Sequence, residues 1–264
     1  MKTIIKSIMI LIVTSLFLTS CNQDDLKLDN EANALDIESA EKQVEIDNIS
    51  EELNDIGEDI FLVYGSSVAS KSSDTKKDFE GMPIPECLTI TKIISNNSIH
   101  VTFDYGEGCV NRNDNFLKGK IMMTVGFDFA DKAVTTDYTF DNFYFNTKKV
   151  EGEIHKTRIR KNENGFPQAI IIKDIKIIWE DEAFVTVKGE RKREWIEGFD
   201  NKIWGDNVFS ITGTWTITQK DGTVNTATVI EPLIRISACR FIVSGVVEIN
   251  KNDRVCSLNY GSGE

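Results

Sequence analysis

The sequence predicts a mainly β protein: an antiparallel meander of about ten strands in a curved, barrel-like or two-layer sheet, with an N-terminal helical segment. Two observations carry this. From Cys87 onward, apolar residues recur at every second position, the period of a strand with one buried face. Between Leu35 and Tyr64, Val44, Ile49, Leu53, Ile56 and Ile60 recur at three to five residues with Asp and Glu between them, the period of a helix.

Residues 1–20 come first. Lys2 and Lys6 precede an apolar run from Ile8 to Leu18. The run is shorter than the ~20 residues a membrane span needs, and suits the core of a secretory signal. It ends Leu18-Thr19-Ser20-Cys21, which resembles the lipobox of bacterial lipoproteins. That resemblance implies cleavage after Ser20, diacylglycerol on the Cys21 sulfur and a further fatty acyl chain, such as palmitate, on the new amino group. Two or more chains give stable anchoring where one is marginal. The expected site is therefore the outer membrane, on its periplasmic face or at the cell surface. Asp24 and Asp25, just after Cys21, resemble a surface-export signal.

Residues 21–34 read as an acidic tether and 35–64 as the helical segment. Gly57 weakens its middle, so one helix or two short ones are expected. Ser-rich residues 65–82 read as a linker. Residues 83–264 form the β domain, with turn signals at Asn96-Asn97-Ser98, Asp131-Lys132, Asn162 to Gly165, Asp221-Gly222 and Asn252-Asp253. Within it Phe209, Ile211, Trp215 and Ile217 alternate with Ser210 and Thr212 to Thr218. Pro232 interrupts the run Thr223 to Ile236 and predicts a strand end or an edge.

Lys and Arg number 30 against 42 Asp and Glu, a formal charge of −12 that becomes −14 when Lys2 and Lys6 leave with residues 1–20. So acidic a chain repels nucleic acid and anionic headgroups. Nucleic acid is excluded as a partner, and the lipid on Cys21 must hold the membrane. A protein or glycan partner is the remaining expectation.

Of five cysteines, Cys87, Cys109, Cys239 and Cys256 remain beside Cys21, in a chain whose export permits disulfides. No Cys-x-x-Cys occurs, and the histidines are His100 and His155, so neither a zinc site nor another cofactor is expected. Two segments echo each other: Tyr105-Gly106-Glu107-Gly108-Cys109 and Tyr260-Gly261-Ser262-Gly263-Glu264. If the first hairpin turns near Asn97, position 87 lies across from about position 107, close to Cys109. If the second turns near Asn252, Cys239 lies across from about position 265 and Cys256 from about position 248. Cys87–Cys109 is the expected disulfide. Cys239 and Cys256 are expected to be unpaired or partnered beyond Glu264, with the natural chain continuing.

The lipobox with Cys87-Leu-Thr-Ile-Thr91, Phe103-Asp-Tyr-Gly-Glu-Gly-Cys109, Arg193-Glu-Trp-Ile-Glu-Gly-Phe199 and Ala238-Cys-Arg-Phe-Ile-Val-Ser-Gly245 resembles a family of Bacteroidetes lipoproteins over most of the mature chain. The resemblance implies a cysteine soon after the second Tyr-Gly-x-Gly. The family has no established activity, so it assigns no catalytic residues.

Catalytic signatures are absent. No Gly-x-Ser-x-Gly or His-Glu-x-x-His occurs, and Gly106-Glu107-Gly108 has no helix signal behind it. Asn111, Asn113, Asp114 and Asn115 resemble the front of a calcium loop but lack its Gly and closing Glu, and read as a polar turn. Glu190, Glu194 and Glu197 beside Trp195 and Phe199 are the candidates for a glycan-active pair. Arg191 and Arg193, with Lys188 and Lys192, form a basic spot for an anionic glycan or a partner's acidic face, or pair with Glu190 and Glu194. The expected role is binding or scaffolding at the envelope, without enzymatic activity. The alternatives are carriage of an apolar ligand inside a curved sheet and, less favoured, glycan hydrolysis.

Overall fold

A computed structural model describes residues 34–64, 85–95, 98–128, 133–201, 203–251 and 254–263. Cys21, Asp24, Asp25 and the stretch 65–82 lie outside the described residues.

The strands are β1 (Thr89–Ile94), β2 (Ile99–Asp104), β3 (Cys109–Val110), β4 (Phe116–Asp128), β5 (Ala133–Phe145), β6 (Lys148–Ile159), β7 (Gln168–Ile178), β8 (Phe184–Glu197), β9 (Val208–Gln219), β10 (Val224–Ile236), β11 (Ile242–Lys251) and β12 (Arg254–Ser262). They form one twelve-stranded sheet whose order follows the chain, with β3 as a short spur on β4. The path is open, and β1 and β12 end it. The ladders are antiparallel throughout, so the period-two runs each become one long strand facing its neighbour in sequence.

The register is continuous across the sheet. One row runs from Val101 through Met123, Tyr138, Ile154, Lys173, Gly189 and Trp215 to Cys256. Its residues sit on the buried face. The adjacent row carries His100, Asp137, His155, Ile172, Glu190 and Thr214 on the opposite face.

What covers the buried face is the helix α1 (Ala34–Tyr64). Every residue from Ile49 to Glu58 is buried, so the sheet must curve around the helix rather than lie beneath it. Ile46, Ile49, Leu53 and Ile56 join Phe103, Ile121, Tyr138, Phe143 and Ile154 in one core. The helix is single and passes through Gly57. A Cβ there would stand 2.5 Å from the Tyr138 hydroxyl; the glycine lets the helix approach β5.

Pro232 is neither a strand end nor at an edge. It lies within β10, between β9 and β11, where the register shifts between Thr228 and Leu233. The bulge removes the need for a ladder donor at that position, which is what proline requires. Cys87 and Cys109 are joined by a disulfide with Cα atoms 6.1 Å apart, tying the chain before β1 to the spur β3. Cys256 faces Ile249 across β11–β12 and is a half-buried thiol. Cys239, expected to be unpaired or partnered beyond Glu264, is buried after β10 and disulfide-bonded; Arg235 Nη1 donates to its carbonyl at 2.6 Å.

Candidate functional site: a buried ionic seam

At 3.6 residues per turn, Asp47, Glu51, Asp55 and Glu58 share one side of α1, opposite Ile46, Ile49, Leu53 and Ile56. The apolar side faces β2, β4, β5 and β6, through Phe103, Ile121, Tyr138 and Ile154. The acidic side faces a set of cations that project inward from β6, β7, β8 and β10.

Each cation occupies a position of apolar parity. Lys156 follows Ile154, Lys173 stands between Ile171 and Ile175, Arg191 and Arg193 follow Val187, and Arg235 follows Leu233; all are buried. Arg191 donates from Nη1 to Glu51 Oε1 at 2.7 Å and from Nη2 to Asp47 Oδ1. Arg193 donates from Nη1 to Glu51 Oε2 at 3.2 Å and from Nη2 to Asp55 Oδ1 at 2.5 Å. Arg235 Nε reaches Asp55 Oδ2 at 2.9 Å. Lys156 Nζ and Arg158 Nη2 converge on Glu58 Oε2 at 2.8 and 2.5 Å. Tyr260 of β12 donates to Asp47 Oδ2 at 2.7 Å.

The match between helix and strand is geometric. Two residues along β8 advance about 6.8 Å; four residues along α1 advance about 6 Å. Arg191 and Arg193 therefore step in near-register with Asp47, Glu51 and Asp55, and Glu51 bridges both guanidiniums. The Arg191 guanidinium stacks 3.8 Å from the Trp215 ring and that of Arg193 3.9 Å from Phe209. Arg191 faces Gly213 on β9, where a Cβ would meet the Glu190 carbonyl at 2.2 Å. The residue at this close approach has φ 140°, which favours glycine.

Burial and pairing pull these groups in opposite directions. Burial acts to raise the Glu58 carboxyl, but Arg158 and Lys156 outweigh it and bring it to about 2. Glu51 and Asp55 are likewise lowered against burial, Glu51 by Arg191, Lys173 and Arg193, and Asp55 by Arg235 and Arg193. Glu52 is raised, by burial and then by Asp55; its oxygens accept from the side-chain amides of Asn111 and Asn113 at 2.6 and 2.7 Å. Lys173 is lowered to about 7 by burial and the nearby Arg191. Its Nζ is 4.0 Å from Glu51 and makes no hydrogen bond.

The basic spot expected on the surface is therefore inside. Arg191 and Arg193 pair with the chain's own helix rather than with Glu190 and Glu194 or an external acid. Lys188 and Lys192 face outward, to Asp174 at 2.8 Å and Glu194 at 3.2 Å. Glu190 and Glu194 share the outer face four strand residues apart, about 13 Å, beyond the ~9.5 Å limit for a hydrolytic pair. The Asn111–Asn115 segment is a turn in which Asn111 Oδ1 accepts from the backbone of Asn113 and Asn115, and its amides clasp Glu52. Asp137, His155 and Thr157 form an acid–imidazole–hydroxyl line, with 2.6 and 3.2 Å contacts, on the open outer face. No group of metal-ligating side chains occurs among the described residues.

The acids of α1 escaped the sequence reading because an acid-rich helix ordinarily lies in water. The signal that could have found them was the run of cations at inward parity, which required an acidic partner.

No family model matches this chain, and neither a curated protein nor a solved structure matches it.

Proposed function

We propose that the chain is a lipid-anchored cell-envelope protein that binds or scaffolds a partner at its surface. The observation that carries this reading is the occupancy of the curved sheet: α1 packs along its interior and fills the apolar part of it. The space left between Leu53, Ile56, Gly57 and the apolar strands is about 10 Å³, room for no more than a water. A carrier would have to expel α1 and strand five buried cations. The surfaces left for a partner are the outer face and the rim. The N-terminal pattern of Lys2, Lys6, the apolar run and Cys21 supports lipid anchoring at the outer membrane, with Asp24 and Asp25 favouring the cell surface. The segments Phe103–Cys109 and Arg193–Phe199 support a place among Bacteroidetes lipoproteins.

Native mass spectrometry of the chain from residue 22 tests the choice. The bare polypeptide mass is expected. An added mass that extracts as lipid or pigment would overturn the binding-or-scaffold reading in favour of the carrier. Protease shaving of intact cells should remove the β domain if the face is extracellular.

A further inference from the structure

Between α1 and one end of the sheet lies a cleft of about 230 Å³. It is distinct from the ionic seam, although Glu52 belongs to both. Along one wall run Glu41, Glu45, Asn48 and Glu52 of α1; across from them stand Asn115, Asn146, Arg240 and Phe241. Val44, Ile49 and Phe145 supply the apolar part of the lining.

Several of the polar groups are already engaged. Glu45 holds Lys148 at 2.6 Å and the Trp179 indole at 3.1 Å. Glu52 holds the amides of Asn111 and Asn113. Asn146 donates to Asn115 at 3.3 Å, and its Oδ1 accepts from the Phe116 backbone at 2.8 Å. Glu41, Asn48 and Arg240 are left to meet a ligand: an acceptor, an amide offering both, and a donor. Glu41 and Arg240 are exposed and Asn48 half-buried. The Arg240 guanidinium lies over the Phe241 ring, 5.2 Å from its centroid, so a donor covers one face of the half-buried ring and the other face is the one a ligand could stack on.

That inventory selects a ligand class. An anion would meet Glu41 and Glu45, and a cation would meet Arg240. An apolar molecule would strip water from all three remaining polar groups without replacing their hydrogen bonds. A neutral ring with one apolar face and a rim of hydroxyls satisfies every group: each hydroxyl donates and accepts, and the C–H face lies on an aromatic ring. The volume is below the ~300–1,000 Å³ of drug-sized sites, which suits one ring.

We propose that this cleft binds a single neutral saccharide unit, held by Glu41, Asn48 and Arg240 against Phe241. The proposal rests on the surface-binding reading and names its ligand class.

The test is saturation-transfer NMR on the full chain, in a detergent without a sugar headgroup, against glucose, galactose, mannose, rhamnose, N-acetylglucosamine and N-acetylgalactosamine. At least one sugar is expected to receive saturation. Asn48→Ala and Arg240→Ala should each weaken its Kd about ten-fold, with unchanged melting temperatures. Glu190→Ala on the outer face should leave binding intact. Transfer to none of the six sugars, or binding that survives the Asn48→Ala/Arg240→Ala double variant, would overturn the proposal. A negative result with a bare native mass removes only the ligand class, whereas co-extracted lipid removes the surface-binding reading itself.

Discussion

Within the seam, single residues differ sharply in how well they are matched. Arg191 is bound to Asp47 and Glu51 and stacked on Trp215. Its removal leaves two buried carboxylates short of a partner, a loss of about 3–5 kcal/mol. Lys173 is as deeply buried but has its nearest carboxylate at 4.0 Å and no hydrogen bond. It bears the desolvation cost with little return. Urea denaturation should therefore show Arg191→Met strongly destabilised and Lys173→Met unchanged or more stable. A Lys173→Met loss comparable to that of Arg191→Met would refute this ranking. At Gly57, alanine ordinarily favours a helix by about 1 kcal/mol. Here its Cβ would run into Tyr138, so Gly57→Ala should cost about 1–3 kcal/mol. Tyr138→Leu in the same chain should recover most of it.

At the scale of elements, the strands were legible and the helix only half so. Runs such as Phe209 to Ile217 fix strand length, parity and pairing, because a slip of one residue would turn every apolar side chain to water. The span of α1 was legible, with 35–64 read as helical against Ala34–Tyr64, but not its place. Period and composition report which side is apolar, and a second, acidic side reads as solvent-facing unless its partners are known. Those partners sit 98 to 213 residues away, beyond any local pattern. Arg191 and Arg193 were visible at inward parity with Val187, yet their counter-ions could not be named from neighbours. The same limit applied to Pro232, whose bulge depends on two flanking strands. One element has its own restraint: β1 ends the sheet and exposes Ile93 and Ile94, and the disulfide Cys87–Cys109 holds the chain that enters it. Closing a loop of 22 residues is worth about 3 kcal/mol in the chain-entropy account. Cys87→Ser should accordingly speed hydrogen exchange in 89–94 well above that in β7 or β8. Equal protection in both regions would show that the disulfide does not hold the edge.

For the whole molecule, the seam makes stability a function of pH with two separate limbs. Glu51, Asp55 and Glu58 have folded pKa values below their unfolded ones, Glu58 at about 2. Their contribution is present above about pH 4.5 and is lost as pH falls toward 2. Lys173 and Lys156 are also depressed, to about 7 and about 8 from 10.5. Between those values and 10.5 the unfolded chain binds more protons, so stability rises with pH across that window. Glu52, which is raised, opposes the first limb: its stabilising effect is present at low pH and lost as pH rises through its folded pKa. It is one group against three. Tyr138 and Tyr260, both raised by burial, weaken the fold only above pH 10. Urea midpoints should therefore climb from pH 3 to about 5 and climb again from about 7 to 9.5, where most proteins have passed their maximum. Lys173→Met should reduce the second climb to the share that Lys156 contributes, and should change the first only through Glu51, which keeps Arg191 and Arg193 beside it. If midpoints fall between pH 7 and 9.5, the lysines are not the strained members of the seam, and the charge carried by α1 is better matched than its 4.0 Å contact implies.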